Sequence, residues 1–341
     1  MPLICRLAAM DGMSNAAFRS VCFEYGADGA STEMVQALAL SRLKRKSRVW
    51  LDALLARRPE EKSLFVQIIG NDPTVMAEAA RRIDAMDKFD GVEINMGCPA
   101  RCVVGSGNGS ALLCNVPLAK DILRAVCDAA RLPVILKMRL GWDADHITAP
   151  EIAQAAQDAG CAAIILHGRT RSDMYQNEVD LNAMREVRAA VYIPLYANGA
   201  VKSAADAAAF AAAVRADGVC IGRAALKAPW IFDDIRRLAA GEPVPARDAN
   251  ERIDLLLRFA GRLCEIKPER FAIEQMRSFS AWYLDGLTDS EAAFRQLLCD
   301  HTLAHYRRTL TEYLNRLIQK NDTRPHAHLM QYATLDTVDR A

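Results

Sequence analysis

Short apolar runs alternate with longer amphipathic stretches along the first two thirds of the chain. The runs start near Leu3, Gly29, Leu64, Val92, Val134, Ala163, Leu195 and Gly218. The later ones recur at intervals of roughly thirty residues, the length of a βαβ unit. This pattern predicts eight parallel strands between Ile4 and about Leu238. Helical periodicity or alanine-rich composition marks Met76–Ala85, Leu118–Ala130, Ile152–Ala159 and Ala204–Val214, with Ser203 placed to cap the last of them.

The later apolar runs end in polar residues or glycine: Gln67, Asn95, Lys137 with Arg139, His167, Asn198 and Gly222. These are C-terminal strand ends, the face on which an eight-stranded βα barrel builds its active site. A doubly wound sheet would gather its ligand groups at one switch point instead. The expected fold is therefore α/β, a (β/α)8 TIM barrel over residues 1–242. After Gly241-Glu242-Pro243-Val244-Pro245 the strand signal stops, and helical patterns occupy Asn250–Glu265, Ile273–Leu284, Glu291–Leu298 and Thr302–Lys320. A C-terminal all-helical domain is expected over residues 243–320, followed by a loosely ordered tail over 321–341.

Composition narrows the class without naming a function. The chain has 341 residues, 51% hydrophobic and 25% charged, which fits a globular protein and excludes disordered and fibrous classes. The start Met1-Pro2-Leu3-Ile4-Cys5-Arg6 lacks the features of a signal peptide, and no stretch reaches the roughly 18 apolar residues of a membrane helix. The ten cysteines are scattered, and Cys98, Cys102 and Cys114 lack zinc-site spacing, so no metal is expected. Reduced thiols and a cytoplasmic location are the expectation, as is a monomer. A net charge of +1 does not by itself suggest nucleic acid, although a balanced total can hide a basic face.

The candidate chemistry lies at the strand ends. Asn95-Met96-Gly97-Cys98-Pro99-Ala100-Arg101-Cys102 leads into the glycine-rich stretch from Gly105 to Leu113, a loop long enough to suggest a functional lid. Cys98 has three conceivable roles there: nucleophile, metal ligand or acid. A free thiol titrates near about 8.5, so without an activating base it stays protonated at neutral pH, which favours the acid. Lys137 and Arg139 share one face of their strand and would need anionic partners inside a barrel, either a bound anionic cofactor or an unseen carboxylate. His167-Gly168-Arg169-Thr170-Arg171, Asn198-Gly199-Ala200 and Gly222-Arg223-Ala224-Ala225 follow the last three strands. The latter two stand where barrels hold phosphate on freed backbone N–H groups.

Together Asn95-Met96-Gly97-Cys98-Pro99, Lys137-Met138-Arg139-Leu140-Gly141-Trp142, His167-Gly168-Arg169-Thr170-Arg171 and Ala197-Asn198-Gly199 resemble the tRNA-dihydrouridine synthase family. The resemblance runs in order from Leu7 to about Leu287 and includes Ala9-Met10-Asp11-Gly12-Met13, Glu33-Met34, Val66-Gln67-Ile68 and Ile221-Gly222-Arg223. It implies an FMN-bearing barrel, NADPH (or NADH) as reductant, tRNA as substrate and a helical domain that helps hold the RNA. Carried over by position, it implies FMN contacts from Ala8, Ala9, Met10, Gln67, Lys137, His167, Asn198, Gly199, Ala200, Gly222 and Arg223. It also implies substrate contacts from Asn95, Arg139 and Arg171, and Cys98 as the catalytic proton donor. Ala9 stands in place of a usual proline, Cys102 in place of a common lysine or other polar residue, and Arg277-Ser278-Phe279 where Arg-Lys-His is frequent. The first departure loosens the first flavin-contacting turn without removing its backbone contacts; the other two bear on RNA contacts and leave the target uridine unassigned. A flavin barrel acting on a free pyrimidine, like the dihydroorotate dehydrogenases, and a flavin-free RNA-binding protein are the rival readings; Arg277, Trp282, Tyr283, Arg307 and Arg308 in the helical region favour RNA over the first.

Overall fold

The computed structural model describes residues 3–42 and 48–326. Its contacts divide the chain into two compact units: the residues up to Ala225 with Trp230–Gly241, and Leu226–Pro229 with the residues from Glu242 onward.

The first unit is a closed parallel barrel wrapped by helices. Its strands are β1 (Ile4–Leu7), β2 (Gly29–Ser31), β3 (Val35–Gln36), β4 (Leu64–Ile69), β5 (Gly91–Met96), β6 (Val134–Arg139), β7 (Ala163–His167), β8 (Leu195–Asn198) and β9 (Gly218–Ile221). The sheet runs β2-β1-β9-β8-β7-β6-β5-β4-β3 and closes through β2 with β4. Because β2 pairs with the start of β4 and β3 with its end, the two act as one interrupted stave of an eight-staved barrel. Strands buried on both faces read as unbroken apolar runs, as in Val134-Ile135-Leu136 and Ala163-Ile164-Ile165-Leu166.

Side chains from alternate positions fill the interior. Ala8, Phe65, Ile135, Ala163, Ile165 and Cys220 form one buried cluster, with Tyr196 packed against it. Arg6 lies at this level too, its guanidinium 4.7 Å from the centre of the Phe65 ring. The polar residues Gln67, Asn95, His167 and Asn198 sit one step nearer the strand C-termini.

Local chemistry sets the helix ends. Helix Ala204–Val214 starts at Ser203 in a capping box with Asp206. Helix Pro73–Asp84 begins three residues before its apolar periodicity, because Asp72 accepts hydrogen bonds from Thr74 N and Val75 N and Pro73 suits the first turn. The long segment after β5 is not an open loop: it contains helix Arg101–Gly105 and a 3-10 turn at Gly109–Cys114. Positive φ angles at Gly107 and Gly109 permit that compact path.

The second unit is helical, with helices Ala249–Cys264, Glu269–Tyr283, Ser290–Leu297 and Leu303–Gln319. Phe259 and Phe279 meet edge to face at 4.7 Å in its core. The buried Tyr306 hydroxyl finds Ser280 Oγ at 2.7 Å. Tyr283 is fully buried, whereas Arg307 and Arg308 are exposed. Of the expected loose tail, residues 321–326 return to this unit, with Ala249 N donating to Thr323 O and His326 N to Gly286 O. Residues 327–341 lie outside the described residues.

Candidate active site

The strand C-termini bring together the polar residues that punctuate the sequence. Register pairs Gln67 with Glu93 across β4 and β5, Asn95 with Lys137 across β5 and β6, and Arg139, His167 and Asn198 across β6, β7 and β8. Ser31 Oγ donates to Glu93 Oε2 at 2.6 Å, and Gln67 Nε2 donates to Glu93 Oε1. Gln67 Oε1 in turn accepts from Asn95 Nδ2 at 2.8 Å. Lys137 Nζ donates to Asn198 Oδ1 at 3.3 Å, and Asn198 Nδ2 to Cys220 O at 2.7 Å. Arg139, 2% exposed, spends Nε on Gly97 O and Nη1 on Thr170 O and Met174 O. Carbonyl oxygens and the Tyr175 side chain, not a carboxylate, are thus its direct partners.

Cys98 lies just beyond β5 and is half-buried. Its N–H and that of Gly97 both donate to Asn95 Oδ1 at 3.0 Å, an Asx-type turn. Its carbonyl accepts from both Ser110 N and Ser110 Oγ at 3.0 Å. The backbone is therefore clamped while the thiol makes none of these bonds. Burial, with Asp11 and Cys102 adding to it, raises the thiol pKa, against a backbone hydrogen bond from Ala100 and the charge of Lys137. Among the described residues no group of His, Cys, Asp and Glu could hold a metal ion. A protonated thiol held in place is suited to donate a proton.

Gly109 makes the clamp possible. A Cβ there would lie 2.7 Å from Cys98 O and 3.2 Å from Cys98 Cβ, and its φ of +59° disfavours a side chain as well. Gly109→Ala is expected to displace Cys98. Site-resolved alkylation should show Cys98 reacting several-fold faster, by about the factor that one broken hydrogen bond allows, and an unchanged rate would mean that the turn absorbs the methyl group.

Next to this clamp is a cation-rich rim. His167 is buried, and its pKa is driven well below the usual value by burial first, then by Arg139, Lys137, Arg169 and Arg223. Its Nδ1 is buried without a hydrogen-bond partner. Desolvation also lowers the pKa of Lys137, with Cys220 and Glu93 acting in the opposite sense. A Cβ on Gly199, whose φ is +119°, would lie 3.2 Å from both His167 Cε1 and Arg169 Nη1, so the backbone there closely approaches both side chains. Arg169 Nη1 donates to Gly199 O at 2.9 Å. Tyr175 stands over the rim, its ring 5.1 Å from both the Arg139 and Arg223 guanidinium carbons. Clustered cations and an orphaned imidazole nitrogen beside a glycine-lined backbone suit a group that is anionic at one end and accepts hydrogen bonds.

The ends of β1 and β9 also converge. A Cβ on Gly222 would lie 3.7 Å from Met10 Sδ and 3.8 Å from Ala8 Cβ. The Met10 turn is held by Ser14, whose Oγ accepts from Met10 N at 2.8 Å and donates to Met10 O at 3.0 Å. Ala9, Ala200 and Arg223 are partly exposed near these strand ends. Arg171 stacks on Trp142 at 4.6 Å, with its Nε buried and unpartnered. Sequence reasoning did not single out Glu93, Ser31 or Tyr175. The alternation in Gly91-Val92-Glu93-Ile94-Asn95, which puts Glu93 on the face of Asn95, is the signal that points to the first.

A family model described as Dihydrouridine synthase (Dus) matches residues 6–319. A protein named tRNA-dihydrouridine synthase B from Pseudomonas syringae pv. tomato is 38% identical over 296 residues, covering 85% of this chain and 86% of the relative. Proteins of the same name from Shewanella oneidensis and Vibrio cholerae are 35% identical over 316 residues and 37% over 291. They cover 92% and 85% of this chain, and 96% and 88% of those relatives.

Proposed function

The chain belongs to the dihydrouridine synthase family, and on that premise we propose that it reduces uridines of tRNA to 5,6-dihydrouridine, with FMN as the bound cofactor and NADPH (or NADH) as the reductant. The observation that carries the reading is Cys98, a thiol with a raised pKa on a clamped turn beside a cation-rich barrel rim. FMN suits that rim. Its phosphate matches Arg223, His167 and the backbone of Asn198-Gly199-Ala200 and Gly222, and its ring edge matches Gln67 and Lys137, with Ala8, Ala9 and Met10 completing the wall. When bound, the flavin supplies the hydride for uracil C6.

The residues of the chain supply the rest. Cys98 holds a proton at Sγ and delivers it to C5. Asn95 spends its carbonyl oxygen on the turn and one amide hydrogen on Gln67 Oε1, which leaves one amide hydrogen for the uracil. Arg139 orders the Cys98 turn through Gly97 O, and Arg171 on Trp142 faces the nucleotide. The base must leave its stack to reach the barrel mouth. The helical region 243–320, with Arg307 and Arg308 exposed, grips the RNA through phosphates, which makes binding weaker as salt rises. The enzyme works in the cytoplasm as a monomer. Among the described residues no helix is long and apolar enough to cross a membrane.

Nucleoside mass spectrometry of unmodified tRNA incubated with protein, FMN and NADPH tests this reading. Dihydrouridine is expected, at a rate that falls at alkaline pH. The acid works while protonated, so a raised Cys98 pKa keeps the rate flat through neutrality and lets it fall only above the ordinary thiol range of about 8.5. Reduction of a free pyrimidine with every tRNA left unchanged would replace the RNA reading with a small-molecule one.

A further inference from the structure

We infer that Glu93 is a positioning residue: as an obligate acceptor inside the barrel, it orients the Gln67 and Asn95 carboxamides and, through them, the turn that carries Cys98. Its importance for catalysis rests on the function proposed above; its effect on the turn does not.

Glu93 is 1% exposed and lies below the mouth, so it orients groups without touching what binds there. A carboxylate accepts and does not donate, and here each oxygen is taken, one by Ser31 Oγ and the other by Gln67 Nε2. Gln67 must therefore turn its NH2 toward Glu93 and its oxygen toward Asn95 Nδ2. Asn95 is thereby left with its oxygen facing the N–H groups of Gly97 and Cys98, which it accepts at 3.0 Å each.

Two fixed ends set the direction of this chain of bonds: the Glu93 carboxylate, which only accepts, and the N–H groups of Gly97 and Cys98, which only donate. A carboxamide is nearly symmetric in shape and either end fits the space, so the two carboxamides satisfy both ends in one orientation alone. If both amides turned over, Asn95 Nδ2 would face two backbone donors and the Cys98 turn would lose its acceptor. All four side chains are buried, where such bonds strengthen one another and mismatches are costly. Glu93 also acts on Lys137 electrostatically, opposing the desolvation of that ammonium.

The test exchanges the acceptor's place. In Glu93→Gln one of the two acceptor places becomes an NH2 donor; with the remaining oxygen kept by Ser31, that NH2 meets the Gln67 NH2, donor against donor, and the Gln67 and Asn95 amides lose the acceptor that anchors them. In the double variant Glu93→Gln with Gln67→Glu, position 67 becomes the obligate acceptor. It takes one N–H from Gln at 93 and one from Asn95, and the direction toward Cys98 is restored. The readout is iodoacetamide alkylation of Cys98, resolved by peptide mass spectrometry, with Cys299 of the helical unit as internal control. The limiting rate at high pH separates access from ionisation.

The single variant should raise that limiting rate at Cys98 about fivefold, the factor of one ordinary hydrogen bond, with Cys299 unchanged, and the double variant should return it to the wild-type value. A single variant indistinguishable from wild type, or a double variant no slower than the single, overturns the proposal. If the single variant fails to fold, the double decides alone: a wild-type rate supports the proposal and an unfolded or fast-reacting protein refutes it. Should wild type leave tRNA unreduced while this pattern holds, the functional reading fails and the role of Glu93 stands.

Discussion

Cys98→Ala should lower the single-turnover rate of dihydrouridine formation by about 10²–10⁴-fold, the usual worth of a positioned general acid. Fold and tRNA affinity should stay nearly unchanged. The clamp on this residue uses its backbone alone, through Asn95 Oδ1 on the N–H and Ser110 on the carbonyl, so removing the thiol breaks none of those bonds. A half-buried side chain also gives up little packing. The loss should therefore fall on the chemical step, seen as slow oxidation of reduced enzyme by tRNA at saturating RNA. A rate within a few-fold of wild type, on the scale set by about 1.4 kcal/mol per factor of ten, would mean that solvent or another residue delivers the proton.

The largest expected stability effect lies away from the barrel mouth. Arg19 and Glu61 are both fully buried, with Arg19 Nε 2.5 Å from Glu61 Oε1. Arg19 Nη1 also donates to Ser14 O at 2.8 Å and Nη2 to Ala56 O at 2.7 Å, while Glu61 Oε2 accepts from Arg58 N at 2.7 Å. Glu61→Ala strands a guanidinium in the interior, which costs about 3–5 kcal/mol, against a total stability of about 5–15 kcal/mol for a typical domain. Chemical denaturation should show that loss. The paired replacement Arg19→Met with Glu61→Leu should recover most of it, because it removes both desolvated charges. A loss under about 1 kcal/mol for Glu61→Ala would place water beside the guanidinium. The pair also bears on the site: Arg19 grips Ser14 O, and Ser14 Oγ fixes the Met10 turn at the end of β1.

Much of the architecture was legible because it rests on local periodicity. Strand starts expected near Gly29, Leu64, Val134, Ala163, Leu195 and Gly218 coincide with those observed, and Ile4 and Gly91 differ from expectation by one residue. Helix Ala204–Val214 matches at both ends: Ser203 announces its start, and it stops where Arg215 turns left-handed. Helix Glu269–Tyr283 starts four residues before the expected Ile273, since its first turn, Glu269 to Ala272, is largely polar and carries no apolar stripe. The segment from Arg101 to Cys114 hides two short turns, the second of which is tied to Cys98 O through Ser110 N and Oγ, a contact that local propensity does not announce.

The sequence by itself determined the alternation of strands and helices, the closing helical region, and the polar residues or glycine at the later strand ends, because side-chain period and residue type are properties of neighbouring residues. Only the tertiary structure decided which of those polar groups face one another. Glu93 meets Ser31 across 62 positions and Gln67 across 26, Arg19 meets Glu61 across 42, and Gly109 lies against Cys98 only after the chain has turned back on itself. Hydrogen bonds and buried charges are directional and short-ranged, so their partners are set when the barrel closes and leave no periodic trace in the chain that forms it.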